Sequence, residues 1–470
     1  MAKPTRAAGS GKGKATYDRR PAAESTPKPP RAGAAPSAAK SVSSADVRAK
    51  HKEFLFPCVA TYYEEPVVLT KGEGSWAFDA DGREYLDFFG GILTLGLGHC
   101  HPEVVSRVQD QLEQLGHTST LYPNAIQSRV AERLAKITPG KLKKSLFTTS
   151  GTEANETAIL LAKIYSGKQE IIALRHGYSG RSLTAQSLTG QAPWRLVPTQ
   201  VAGIKHAMSP YCYRCPFGLE YNDGACGIKC ANDIEDLIRT ETTGQPAAFI
   251  AEPIQGVGGF ITPPKEYFGI AVGIVRKYGG LFICDEVQTG WGRTGDHWCG
   301  ITHWGVEPEI MTFAKSIANG FAVGATVATE EVANAFTGLT ISTFVGSPIT
   351  MSATDATLDV MERENTPKRS AERGKQLRDH LLALKEKYKV IGDVRGMGLM
   401  QGIELVEDRK TKEPAPKRTT KLLEAAKKQG LLIGKGGLYG NVIRMAPSML
   451  ISAAEVDDAM ARLDKALAET

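Results

Sequence analysis

Four short apolar runs, at residues 171–174, 247–251, 281–284 and 310–313, with helical segments such as 266–278 between them, constrain this chain more than any other feature. Strands that are apolar on both faces need helices over each face. The alternation therefore predicts a large α/β domain with a mostly parallel sheet over about residues 116–343. Ligand sites in such sheets lie beyond the carboxyl ends of the strands. Two of the runs lead into a charge at that edge: Asp285 in Cys284-Asp285-Glu286, and Lys315 in Phe313-Ala314-Lys315.

By themselves an acid and a lysine at strand ends make an ion pair and nothing more. A third element separates this chain from that case. In Leu146-Phe147-Thr148-Thr149-Ser150-Gly151-Thr152-Glu153 an apolar strand start runs through a Ser-Gly-Thr turn into a helix, with Ala158, Leu161, Ala162 and Tyr165 spaced to face the sheet. Free amides and hydroxyls at a helix start seat a phosphate, although Ser and Thr also cap helices that bind nothing. Phosphate seat, acid and lysine in this order suit pyridoxal 5′-phosphate. The lysine forms a Schiff base with the aldehyde, and the acid keeps the pyridine nitrogen protonated.

The 470 residues are enough for a large domain and a smaller one, and 42% hydrophobic content supports a core. No apolar stretch of membrane-spanning length and no apolar signal core occurs, which predicts no membrane partner and a cytoplasmic location. The net charge of +6 is concentrated at the N-terminus, where residues 1–45 hold nine Lys or Arg against Asp18 and Glu24. Taking these from the chain's 57 basic and 51 acidic residues leaves 48 and 49, a nearly neutral body that argues against a nucleic-acid partner. Poor in large apolar residues, the segment 1–45 is expected to be a disordered, solvated tail. Its Arg, Ser and Ala content keeps organellar import open.

Further on, residues 71–87 predict two short strands joined at the Asp81-Gly82 turn, within an N-terminal lobe of a small domain spanning 46–115, and 103–115 predicts an amphipathic helix. Residues 344–470 predict a C-terminal α+β part of that small domain, with a long helix near 361–387, strands near 398–405 and 442–446, and a closing helix from Ala453. Cys212, Cys215, Cys226 and Cys230 lie in a Tyr, Pro and Gly-rich stretch that reads as a surface insertion. A zinc site, two disulfides or reduced thiols all suit that spacing, and nothing ties the cluster to the chemistry, so no metal is assigned.

These motifs together resemble the class III aminotransferases of pyridoxal-phosphate fold type I, over residues 54–468. The carriers are TTSGTEANE from Thr148, AEPIQG from Ala251, FICDEVQTGWGRTG from Phe282, FAKSIANG from Phe313, STFVGSP from Ser342, GDVRGMGLMQGIEL from Gly392 and IRMAPSM from Ile443. FFGGILTLGLGHCHPEVV from Phe88 makes the mitochondrial-type alanine–glyoxylate aminotransferases the most similar group. The resemblance implies a seven-stranded-type sheet and a homodimer whose site is shared across the interface. It makes Lys315 the Schiff-base lysine and Asp285 the partner of the ring nitrogen. Ser150, Gly151, Thr152, Tyr178, Glu252, Gln288 and Thr343 become cofactor-binding residues, Thr343 coming from the neighbouring subunit. Arg444 matches the arginine that binds the substrate carboxylate.

Where family members that handle glutamate, ornithine or 4-aminobutyrate carry a glutamate after Gln-Gly, this chain has Val257, and Tyr178 rather than an arginine follows His176-Gly177. An unmasked Arg444 without a second carboxylate clamp favours small monocarboxylates. Arg175 stands where the ring-stacking aromatic is usual, so Arg175, His176 and Tyr178 all compete for that place. The expected function is transfer of an amino group from a small or ω-amino acid donor to pyruvate or glyoxylate with ping-pong kinetics. A lyase, decarboxylase or aminomutase of the same family, and a nonenzymatic binding protein that kept the fold, are the alternatives.

Overall fold

The structure, a computed structural model, describes residues 43–198, 200–221 and 224–470. The expected N-terminal tail falls outside the described residues except at its end, where Ser43 caps the helix Ser44–Phe54 by accepting a hydrogen bond from the Asp46 amide. Strands β1 (Leu69–Glu73), β2 (Trp76–Asp79) and β3 (Glu84–Asp87) follow, so residues 71–87 carry parts of three strands rather than two. The additional hairpin turns at Gly74-Ser75, where Gly74 takes φ +55°, the left-handed region that glycine enters without strain.

The main sheet comprises β4 (Leu142–Thr148), β5 (Ile171–Leu174), β6 (Ile204–Ala207), β7 (Ala248–Ala251), β8 (Leu281–Asp285), β9 (Ile310–Phe313) and β10 (Gly324–Thr329). Its order is β4-β10-β9-β8-β7-β5-β6. All pairs from β9 to β6 are parallel, whereas β10 is antiparallel to both β9 and β4. Because β4 opposes β10 and β10 opposes β9, β4 runs in the same direction as the parallel strands. The ends of β4, β5, β7, β8 and β9 therefore meet at one sheet edge.

The apolar runs are buried on both faces for the reason their sequence implied. Ile171, Ala173, Ala248, Ile250, Ile283 and Ile310 pack with Ala158, Ile159, Leu161 and Ala162 of the helix Gly151–Ser166. Their alternating neighbours Ile172, Leu174, Phe249, Phe282, Cys284 and Met311 pack with Phe268, Ala271, Val272 and Val275 of the helix Tyr267–Lys277. Phe249 and Phe282 are fully buried and their rings stack at 5.7 Å. Burying each such ring stabilises the fold by about 1.5–3 kcal/mol.

After β10 the chain forms β11 (Ile391–Met397), β12 (Met400–Leu405), β13 (Leu431–Leu432), β14 (Gly434–Gly436) and β15 (Val442–Met445). The order β11-β12-β15-β14 makes a separate antiparallel sheet, and β13 joins β3 in parallel. The long helix expected near 361–387 is two helices, Pro348–Arg363 and Thr366–Lys387. Asn365 takes φ +49° between them and caps the second, whose early Pro367 has no amide to continue the first.

Candidate active site

Five strand ends converge on a cavity of about 800 Å³, lined by Gly151, Thr152, Tyr178, Glu252, Asp285, Gln288, Lys315 and Arg444 among others. Asp285 is the last residue of β8 and is 4% exposed. Its Oδ1 accepts from the Val287 amide at 3.0 Å and its Oδ2 from Asn155 Nδ2 at 2.8 Å. Burial nevertheless pushes the carboxyl up to about 6, against those hydrogen bonds and the charge of Lys315.

Lys315 follows β9 in a tight turn with φ +52°, left-handed for a residue with a side chain. Such strain persists only where packing over-determines it, and here Ser316 Oγ donates to Leu93 O at 2.7 Å. Burial pulls the Lys315 ammonium down to about 8, and Arg444 pulls with it, while Asp285 and Glu252 oppose. Glu252, one residue beyond β7, accepts from the Tyr178 amide at 3.0 Å and the Gly256 amide at 2.8 Å. Burial, reinforced by Asp285, pushes its carboxyl up to about 8.

Arg444 on β15 is 4% exposed and stands over the Phe89 ring at 4.9 Å. It donates to Lys435 O at 2.8 Å and Gly256 O at 3.2 Å and also bonds the Tyr62 side chain, while among the described residues no carboxylate forms an ion pair with it. Val257 lies on the wall of the same cavity. A desolvated guanidinium without an ion-pair partner has the planar geometry to take a carboxylate in bidentate fashion.

Of the three residues that compete for the ring position, Tyr178 is the one on the cavity wall. Its side chain lines the cavity and meets Trp194 edge-on at 5.6 Å, whereas His176 turns at φ +65° to pack edge-on against Tyr211 at 5.5 Å and Arg175 is exposed. Two residues singled out from the sequence stand off the cavity. Ser150 is half-buried at the helix start, its Oγ accepting from the Glu153 amide at 3.3 Å as the N-cap that precedes Gly151 and Thr152. Thr343 is exposed in the segment after Ser342 and lies outside its own chain's cavity.

Asn155 is the polar residue that sequence reasoning left without a role. Its Nδ2 also donates to Ser179 O at 3.1 Å, and its Oδ1 accepts from Thr312 Oγ1 at 2.8 Å, which fixes the amide orientation towards Asp285. The available signal was its spacing of one helical turn beyond Gly151. As for the cysteines, burial and the neighbouring thiols push Cys212 up to about 11 and Cys230 up to about 12. Among the described residues, no three His, Cys, Asp or Glu side chains are disposed to hold a metal ion.

The cavity fits pyridoxal 5′-phosphate by its own features. Gln288 Oε1 is buried and without a hydrogen-bond partner. Gly151 opens the helix end, where a Cβ would come within 3.2 Å of Val287, and the half-buried Lys315 faces the same space as the held carboxylate of Asp285. A family model described as aminotransferase class-III matches residues 59–467. The chain belongs to the class III aminotransferases.

The aminotransferase is 43% identical over 428 residues to alanine–glyoxylate aminotransferase 2 homolog 2, mitochondrial, of Arabidopsis thaliana, a match covering 91% of this chain and 88% of that one. It is 37% identical over 410 residues to the 5-aminovalerate aminotransferase of Pseudomonas aeruginosa, covering 85% and 92% of the two chains. The PLP-bound structure of an amine transaminase from an uncultivated Pseudomonas species superposes with a TM-score of 0.83 at 30% identity, over 89% of this chain and 98% of that one. The fold is pyridoxal-phosphate fold type I, and the cofactor of the aminotransferase is pyridoxal 5′-phosphate.

Proposed function

We propose that the aminotransferase moves an amino group from a small or ω-amino acid to pyruvate or glyoxylate, in two half-reactions that share one cavity. The observation that carries this reading is Arg444, a buried cation that bonds backbone carbonyls and the Tyr62 side chain but no carboxylate, and beside which Val257 leaves no acid to mask it. The names of the two curated relatives, an alanine–glyoxylate and a 5-aminovalerate aminotransferase, fall within that substrate range.

Bound pyridoxal phosphate supplies an aldehyde carbon for amine exchange and a ring that withdraws electrons from the donor's α-carbon. In this reading Gly151 and Thr152 present the helix N-terminus to the phosphate, joined by the partner subunit's Thr343. Asp285, held by Asn155 and Val287, keeps the proton on the ring nitrogen. Gln288 bonds the phenolic oxygen, Glu252 fixes the loop that carries Tyr178, and Tyr178 covers the ring. Arg444 orients the donor by its carboxylate. Lys315 Nζ, whose lowered pKa leaves a good share of neutral amine near pH 8, would take the proton from the donor's amine-bearing carbon as general base.

A homodimer is part of the proposal. Leu339, Ile341 and Phe344 are 99%, 67% and 68% exposed around Thr343, beside Leu121 and Tyr122 at 62% and 66%. Hydrogen bonds between Thr120 and Ser342 join the two segments into one apolar face suited to a second copy. The test follows loss of the lysine-bound cofactor absorbance with a panel of amines, with keto acid and transferred nitrogen quantified. Alanine should bleach the chromophore and yield one pyruvate per amine, and short ω-amino acids should do so with one terminal aldehyde per amine. Carbon dioxide release, ammonia release or an isomerised amine without keto acid would replace transfer by decarboxylation, elimination or amino-group migration.

A further inference from the structure

The turn bracketed by Cys212 and Cys215 touches a wall of the cavity although the insertion that carries it takes no part in the chemistry above. Its side chain Arg214 is anchored by Nε on Glu404 Oε1 at 2.5 Å, and Glu404 is completely buried. The same carboxylate accepts from Arg395 Nη1 at 2.7 Å, from Asn441 Nδ2 at 3.3 Å and from the Tyr211 hydroxyl. So anchored, the Arg214 guanidinium lies over the Tyr439 ring at 5.4 Å.

Tyr439 belongs to the glycine-rich loop 436–440, which lines the cavity directly over Arg444. Contact there is close enough that a Cβ on Gly436 would stand 2.6 Å from Arg444 Nε. The loop is otherwise tied to the substrate wall by the Gly437 amide, which donates to Val257 O at 2.9 Å. Glu404 thus reaches the loop twice, through Asn441 at its base and through Arg214 and Tyr439 at its tip. Arg395, the hub's other cation, donates Nε to Gly259 O at 2.8 Å, in the turn whose Gly256 O receives Arg444.

We propose that Arg214 is a positioning residue for the substrate-carboxylate site: its contact with Tyr439 holds the loop 436–440 down on Arg444. The proposal rests on the reading of Arg444 given above, and it assigns the cysteine-bearing turn a place in substrate binding. A cation over an exposed aromatic ring contributes enough to change affinity by about two- to fivefold. Arg214→Lys keeps the charge but loses the flat face that covers the ring.

Titration of propionate into the pyridoxal-phosphate-loaded protein, read by calorimetry, tests carboxylate binding without turnover. Arg214→Ala should weaken propionate about two- to fivefold and raise the KM for alanine by the same factor, with kcat unchanged because Lys315 and Asp285 are untouched. Tyr439→Ala, at a residue 50% exposed and so tolerant of truncation, should match it, Tyr439→Phe should stay near wild type, and the double variant should be no weaker than either single one. If the two single losses multiply, if propionate affinity is unchanged, or if kcat falls with it, the contact does not position the carboxylate site. Should Arg214→Ala fail to fold, Tyr439→Ala against Tyr439→Phe decides alone. A wild type that binds propionate but does not transaminate alanine would refute the substrate reading and leave this one standing.

Discussion

Asn155→Ala isolates what holds the ring-facing carboxylate ionised. The Asn155 amide donates to Asp285 Oδ2 at 2.8 Å inside a site where burial already pushes that carboxyl up to about 6. A hydrogen bond to a charged group contributes about 1.5–3 kcal/mol, which corresponds to roughly one to two pH units. Losing the donor destabilises the anion, so the Asp285 pKa should climb to about 7–8. At pH 7 its ionised fraction would drop from roughly nine-tenths to between about a half and a tenth. Only the ionised form can hold the protonated ring. The assay is cofactor affinity of the apo-protein, by fluorescence quenching, from pH 5 to 9. Wild-type affinity should fall below about pH 6 and that of the variant below about pH 7–8, with the two curves meeting at high pH. A variant that binds more weakly by the same factor at every pH, with its acid limb unmoved, would show that Asn155 acts through packing and not through the charge of Asp285.

Three more outcomes follow from the same geometry. Val257→Glu places a carboxylate beside Arg444, and by competing for it should raise the KM for alanine roughly 10- to 150-fold; an unchanged KM would mean that Arg444 does not receive the substrate. Modification of the apo-protein by an amine reagent should show Lys315 titrating near pH 8 rather than at the ordinary 10.5, and lower still in Asp285→Ala, because that carboxylate raises the lysine; a Lys315 that titrates with the surface lysines would contradict the burial argument. The folded Asp285 pKa of about 6 exceeds its ordinary 3.8, so its contribution to stability is fully present below about pH 4 and lost as pH rises through 6. Apo Asp285→Asn should therefore be the more stable protein at pH 8, by about 3 kcal/mol, with the gap closing between pH 6 and 4; a gap independent of pH would exclude this linkage.

Local signals made the sheet and the reactive pair legible. Apolar runs with no polar face can be satisfied only between two helical layers, and a charge at the end of such a run can go nowhere but the sheet edge. That is why Asp285 and Lys315 stand out in the chain itself. The break at Asn365 was also written there, in the Asn-Thr-Pro sequence, but the apolar periodicity on either side hid it.

What tertiary structure decided were the relations between distant segments. Asn155 and Asp285 are 130 positions apart and Arg214 and Glu404 are 190, and no periodicity predicts that either pair will meet. The direction of β4 relative to the parallel strands depends on β10 lying between β4 and β9, so the phosphate seat and the lysine share an edge only once the sheet has formed. The left-handed turn at His176, whose ring meets Tyr211 edge-on while Tyr178 lines the cavity, is likewise a feature of the folded chain that residue types alone do not reveal. Residue types and strand-end positions settle which groups are available for chemistry, whereas their protonation and their partners depend on burial, which is a property of the folded chain alone.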